Sequence, residues 1–181
     1  MIELTHYTTE TAPESTASTL KNIEKMYGFV PNLYGYLAES PVALNAYLHI
    51  NEQLMKHSSL SGAEVQLALL AISAENQCEF CIAAHSMMSS KVGGSAESVA
   101  QVKEGKPVTE PHDAALVNFV QALVKDRGHV AEAITQVLFD QGFSKENMYD
   151  LLVCNMLKSL SNYSNHLTHT EVNEELKAFA R

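Results

Sequence analysis

Apolar residues recur at helical spacing along most of the chain, and no stretch alternates convincingly between apolar and polar as a half-buried strand would. Residues 12–27 open with Pro13 in the first turn and stop at Gly28, the usual asymmetry of helix ends. The stretch "GFVPNLYGYLAESP" predicts a turn, a short helix from about Asn32 to Glu39, and a break at Ser40-Pro41. Leu44, Tyr47, Leu48, Leu54 and Met55 then mark an amphipathic helix that runs to about His57.

The next segment, "LSGAEVQLALLAISAE", begins with a capping box in which Ser61 caps and Glu64 reaches back. The run from Val65 onward, "VQLALLAISA", is apolar nearly all round, so this helix is expected to be buried on most faces. Asn76-Gln77 interrupts it. A new helix is expected from about Cys78 to Lys91, ending at Gly93-Gly94, and a short one after a Ser95 cap. Beyond the loop from Pro107 to Pro111, helices are expected at about 112–127, 130–141, 145–167 and 171–180, with Gly128 and Gly142 as stops.

The count gives an all-α fold in a single domain spanning 1–181, with one helical region at about 41–93 and a second half at about 112–181. "LSGAEVQLALLAIS" faintly echoes "FSKENMYDLLVCNML", each being followed by a polar segment that ends in a histidine, His85 and His166. A duplicated helical unit packed about a shared core would leave such an echo.

A net charge of −9 with scattered Lys and Arg offers no basic patch for nucleic acid or an anionic membrane surface. The longest acidic cluster, Glu171 to Glu175, is broken by Val172 and Asn173 and reads as a solvated face. No run approaches a membrane span, and the first residues lack the basic and apolar regions of a secretory signal. The expected location is therefore the cytosol, where a persistent structural disulfide is unusual.

That setting sharpens one feature. Two of the three cysteines fall in "NQCEFCIAAHS", three residues apart, with a histidine four beyond the second. On a helix Cys78, Cys81 and His85 share a face, with Cys81 and His85 in direct reach. A free thiol with a pKa of about 8.5 is only a few per cent thiolate at neutral pH. Lowering it to about 6 needs roughly 3.4 kcal/mol of preferential thiolate stabilisation, which an imidazole and a helix N-terminus can supply. Cysteines one turn apart can also close a disulfide.

Two other readings compete. The cysteines could be small apolar helix residues. They could also be zinc ligands, although a structural site needs a fourth donor, which only His49, His57 or His166 could bring by tertiary approach. A redox pair accounts best for the spacing and the compartment.

These residues also carry a family resemblance. "NQCEFCIAAHS", with "GFVPNLYGYLAESPVALNAY" upstream and "NYSNHLTHTEVNEEL" downstream, resembles the alkylhydroperoxidase D-like branch of the carboxymuconolactone decarboxylase family, in its peroxidase-related subgroup. The resemblance covers most of the chain. It implies an all-helical fold, thiol-dependent reduction of hydroperoxides, an external dithiol as reductant, and self-association as a trimer or hexamer. No metal or organic cofactor is implied.

It further implies that Cys81 attacks the peroxide and Cys78 resolves, with His85 activating Cys81. Spacing alone leaves that order open, since a helix starting near Cys78 would favour Cys78 through its dipole. Family enzymes carry a glutamate twelve positions before the first cysteine for proton relay. Gln66 stands there instead, and Glu75, three residues before Cys78, is the better substitute than Glu64, which serves the cap. Disulfide reduction, decarboxylase-like chemistry at His85 and a zinc scaffold are the alternatives.

Other polar residues are placed by the same logic. Asn162, Tyr163, Asn165 and His166 form a patch late in a helix and are candidates to face the cysteines or a substrate. Cys154, in "LLVCNML", reads as core. Tyr27, Tyr34, Tyr36 and Tyr47 are expected in the core or an oligomer interface. His6, His57, His112, His129 and His169 have no ligand-like spacing, and no phosphate loop or dinucleotide fingerprint is present. "VQLALLAISA" and "LLVCNML" offer more apolar surface than one core obviously needs, so both are expected to serve self-association.

Overall fold

A computed structural model describes residues 4–181. Among them the chain forms α-helices at Glu14–Tyr27 (α1), Asn32–Leu37 (α2), Pro41–His57 (α3), Gly62–Glu75 (α4), Glu79–Lys91 (α5), Ala96–Lys103 (α6), Pro111–Lys125 (α7), Glu132–Asp140 (α8) and Lys145–Thr168 (α9). A short 3-10 helix is found at Glu174–Phe179, and the described residues contain no strand. None of these helices is long and apolar enough to cross a membrane.

α4 is the axis of the fold. Every residue from Val65 to Ser73 is buried, because α5, α7 and α9 cover it with α6 and α3 closing the remainder. At about 1.5–3 kcal/mol per fully buried large aliphatic side chain, Leu67, Leu69, Leu70 and Ile72 make it a major source of core energy. Its start is fixed as the sequence predicts: Ser61 Oγ accepts from the Glu64 N–H while the Glu64 carboxylate accepts from the Ser61 N–H. "VQLALLAISA" is therefore consumed by the chain's own core and leaves no face for a second subunit. That corrects the expectation drawn from its excess apolarity.

The junction between α4 and α5 sets the cysteine positions. Asn76 ends α4, and Gln77 takes a left-handed backbone (φ 58°), a conformation a residue with a Cβ rarely adopts. The chain reverses there, with the Cys78 N–H returning to the Ser73 carbonyl at 2.9 Å. α5 then begins at Glu79, so Cys78 is the residue that caps it rather than its first helical member.

α9, at 24 residues, spans about 36 Å at 1.5 Å per residue. Ser144 and Asn147 cap it reciprocally, as Ser61 and Glu64 cap α4. Its inward stripe begins with Leu151, Cys154 and Leu157 and ends in Lys158, Ser161, Asn162 and Asn165, all buried. The last third of the helix thus carries polar groups into the core against α4 and α5.

Two local features differ from or refine the sequence reading. The helix expected at 171–180 is a shorter 3-10 turn with Leu176 as its only buried residue. Asn173, the natural cap, instead accepts from the Asn32 N–H at 2.8 Å and donates to Asn32 Oδ1 at 3.1 Å, so its side chain serves the start of α2. Gly35 explains how the N-terminal arm lies on α2: a Cβ there would come within 2.4 Å of His6 Nε2 and 2.8 Å of the Tyr7 carbonyl.

Candidate active site

Cys78 and Cys81 lie 3.5 Å apart, both reduced and both buried. Cys78 stands at the mouth of α5 and Cys81 in its first turn. α9 crosses behind them and supplies three donors or acceptors. Asn165 Nδ2 is 3.4 Å from Cys78 Sγ and 3.3 Å from Cys81 Sγ. Ser161 Oγ is 3.9 Å from Cys81 Sγ. Lys158 Nζ is 3.5 Å from Cys81 Sγ.

Lys158 changes the electrostatics the sequence implies. Its side chain is completely buried, and no carboxylate bonds to its ammonium among the described residues. Burial alone pulls a lysine down, yet the negative charge available at Cys81, then Tyr47 and Cys78, holds Lys158 above its ordinary value. Burial likewise disfavours the Cys81 thiolate, but the Cys78 thiol donating to it, the Lys158 charge and the Ser161 hydroxyl outweigh that and bring it down to about 5. Cys78 is pushed up, first because its hydrogen serves Cys81 and then by burial. The geometry therefore makes Cys81 the thiolate and Cys78 the thiol.

His85 sits one turn beyond Cys81, with its ring buried. Nε2 is 2.7 Å from Lys158 Nζ, and Nδ1 is 2.9 Å from Gln66 Oε1. An ammonium has only donors, so Nε2 must accept and Nδ1 must carry the hydrogen, which the Gln66 carbonyl accepts. Burial, then the Lys158 charge, pushes His85 well below the usual imidazole range, and it is neutral. Its hydrogen bonds go to Lys158 and Gln66, so it is linked to Cys81 by way of Lys158. The place a metal would occupy between Cys81 and His85 is filled by the ammonium. No group of three or more His, Cys, Asp or Glu side chains among the described residues is arranged to hold a metal.

Cys81, His85, Lys158 and Gln66 form one wall of a cavity of about 530 Å³. The rest of the lining is mostly apolar and aromatic, with Phe29, Tyr34, Tyr47, Met55, Phe80 and Met88, and includes the polar Asn51, Glu52 and Lys56. Cys78 faces elsewhere. It lines a shallower depression of about 300 Å³ with Asn165, His166 and His169.

The structure thus brings Cys78, Cys81 and His85 together with Asn165, and places Asn162 just behind them. Asn162 Oδ1 accepts from Asn76 at 3.0 Å, and its amide donates to Ser73 Oγ at 3.4 Å, tying α9 to the junction that shapes the pair. Tyr163 points to solvent, and Cys154 is a core residue whose thiol burial pushes up to about 12. Tyr34 and Tyr47 line the cavity edge to face at 5.6 Å. Glu75 stays at the end of α4, half-buried and with no hydrogen bond or ion pair to the cluster, because the chain turns away at Gln77 before the pair begins. At the position of the family glutamate, Gln66 contacts His85 with an amide that can orient the ring but cannot take up a proton.

Lys158 is the residue the sequence reading missed. Its signal was present: Leu151, Cys154, Lys158, Ser161 and Asn165 lie on one i, i+3, i+4 stripe, so a lone lysine lay on the buried face of an otherwise uncharged segment.

Residues 41–104 match the carboxymuconolactone decarboxylase family. A peroxidase-related protein with an alkylhydroperoxidase core from Ralstonia eutropha JMP134 is similar in structure at a TM-score of 0.82 and 25% identity, over 97% of this chain and 96% of that one. A peroxidase-related protein from Silicibacter sp. TM1040 gives 0.80 at 21% identity, over 99% and 97%. The debrominase Bmp8, as a cysteine-to-alanine variant in complex with 2,3,4-tribromopyrrole, shares the fold at 0.81 with 13% identity, over 99% and 96%. No curated protein matches by sequence. The segment that matches the carboxymuconolactone decarboxylase family contains the paired cysteines and the histidine, and the chain as a whole is similar in its helical fold to the alkylhydroperoxidase D-like, peroxidase-related proteins.

Proposed function

We propose that the protein is a thiol-dependent peroxidase working through a Cys78/Cys81 pair. The observation that carries the reading is the division of labour at the two sulfurs: Cys81 is held as thiolate at an apolar cavity, with the Cys78 thiol 3.5 Å away. The Cys81 thiolate attacks the distal oxygen of a hydroperoxide, breaking the O–O bond and giving a sulfenic acid and an alkoxide that leaves as alcohol. The Cys78 thiol then attacks the Cys81 sulfur, releasing water and forming the disulfide, which an external dithiol reduces.

His85 fixes Lys158 beside the attacking sulfur, and Asn165 aligns both thiols. The reading assigns no step to Glu75. An apolar hydroperoxide suits the cavity wall, and the cytosol suits a pair that must be re-reduced each turn.

A thiol count before and after one equivalent of cumene hydroperoxide tests this. Loss of two thiols, with a disulfide located within the peptide that holds Cys78 and Cys81, is the expected result. A disulfide to Cys154, or cysteine-to-serine variants with full activity, would overturn it.

A further inference from the structure

Lys158 raises a question of charge balance that the two-cysteine cycle leaves open. In the reduced protein its ammonium has one anion within reach, the Cys81 sulfur at 3.5 Å. Disulfide formation abolishes that anion. The cation would then stand alone in the core.

We propose that Lys158 holds one of the two protons the reaction needs and surrenders it as the pair is oxidised. This rests on the two-cysteine reading above. In the reduced state the site is neutral overall: Cys81 thiolate, Lys158 ammonium, Cys78 thiol. As Cys81 sulfur bonds the distal peroxide oxygen and the O–O bond breaks, the alkoxide leaves with the bonding pair and takes a proton from Lys158 Nζ. Cys81 becomes S–OH, its hydrogen being the one the peroxide carried. Cys78 then attacks that sulfur, the S–O bond breaks, and hydroxide departs with the Cys78 proton as water. Two sulfurs lose two electrons, the peroxide gains two, and the site is neutral again with Lys158 as an amine.

The surroundings of Lys158 are those such a step needs. From α5 it faces Cys81, His85 and, further off, Cys78. From α3 it faces Tyr47, whose ring centroid is 5.9 Å from Nζ, and on its own helix α9 it lies near Cys154. The α4 side chains around the cluster, Gln66 and Ser73, are uncharged. None of these groups is a carboxylate, and the carboxylate that lines the same cavity, Glu52 on α3, is half exposed and ion-paired with Lys56, so no buried anion remains beside the ammonium once the thiolate is gone. Burial without a partner lowers a lysine by up to about 3–5 units, enough to neutralise it near pH 7. Nε2 of His85, 2.7 Å away, accepts from the ammonium and from the amine alike, so Nζ keeps its place through the cycle.

The number of protons lost on oxidation is measurable without peroxide. The wild-type protein is equilibrated with reduced and oxidised dithiothreitol between pH 6 and 8, and the disulfide is quantified by alkylation. Thiolate absorbance at 240 nm in the reduced protein is monitored over the same range. Dithiothreitol loses two protons on oxidation there. If Lys158 releases its proton, the protein also loses two, and the exchange constant is flat while Cys81 remains a thiolate.

If Lys158 keeps its proton, oxidised protein falls tenfold per pH unit, which would overturn the proposal, as would the absence of thiolate. Lys158→Arg, whose guanidinium cannot deprotonate, is expected to acquire that tenfold dependence; a flat profile in this variant with thiolate present would also count against the proposal. Failure of the wild type to form the Cys78–Cys81 disulfide removes the two-cysteine reading as well, whereas a tenfold slope removes the proton assignment alone.

Discussion

One amide group on Asn165 donates to both sulfurs, at 3.4 Å to Cys78 and 3.3 Å to Cys81, so a single α9 side chain holds the pair in register. Its carbonyl oxygen, Oδ1, is buried without a partner among the described residues. An amide accepts that cost where its N–H groups have somewhere specific to point.

Replacing Asn165 with Ala is therefore expected to weaken the Cys81 thiolate. A hydrogen bond to a charged group contributes about 1.5–3 kcal/mol, or roughly one to two pKa units. The pH profile of iodoacetamide labelling in a Cys78→Ser background should shift upward by about that much. An unshifted profile would mean that the amide contributes packing only.

Lys158→Met should act more strongly. Removing the buried cation moves Cys81 from about 5 towards an ordinary thiol, and a rise of about three units cuts labelling at pH 6 on the order of 100-fold. His85→Ala, which removes only the group that steadies Lys158, should shift the profile less. Equal shifts, or a larger one for His85→Ala, would restore the direct activation of Cys81 by His85 that the motif implies.

The contrast shows what the sequence holds and where it stops. Helix ends were legible because caps and stops are local: Ser61 with Glu64, Ser95, Gly28 and Pro41 act within a turn of themselves. The pairing of Cys78, Cys81 and His85 was legible for the same reason, all three lying within eight residues. Lys158 and Gln66 reach the cluster from 77 and 19 residues away, through Cys81 and His85 respectively, and only tertiary packing reveals that. The Asn173 side chain carries no local signal of its role either, because its partner Asn32 is 141 residues distant.

Self-association is expected through α9 alone. Tyr149, Leu152, Met156, Tyr163 and Leu167 are exposed along one stripe, and the only charged residue from Leu151 to Thr168 is the buried Lys158. An apolar, charge-free face of that length is typical of an interface core. Light scattering at micromolar concentration should give a multiple of 19.9 kDa, and Met156→Glu should lower it. A wild-type monomer would remove the stripe's assigned role.

Stability should have its own pH signature at His112 and Glu64, which meet at 2.7 Å with the imidazole stacked on Phe143. Partial burial lowers His112 and raises Glu64, but in each case the bonds win: His112 is raised by Glu64 and the Gln141 carbonyl, and Glu64 is lowered by Ser61 and His112. A raised histidine stabilises fully below its unfolded value and loses that contribution as pH climbs through its folded one. A lowered carboxylate stabilises above its unfolded value and loses that contribution as pH falls through its folded one. Both conditions hold between about pH 4.5 and 6.5. The Tm difference between wild type and His112→Gln should peak there and shrink towards pH 8. Solvent screening limits it to at most about 2–4 °C; a difference independent of pH would assign the loss to the Phe143 stack.

Cys81 opens on the deep cavity and Cys78 on the shallow depression beside His166 and His169, so the two sulfurs are two sides of one thin partition. In the proposed cycle the oxidant would enter the cavity and the reductant the depression, and these two share no lining residue except Phe80. Each can drift, or be redesigned, without retuning the other. Such a scaffold can exchange its customers one at a time while its sulfur chemistry stays fixed.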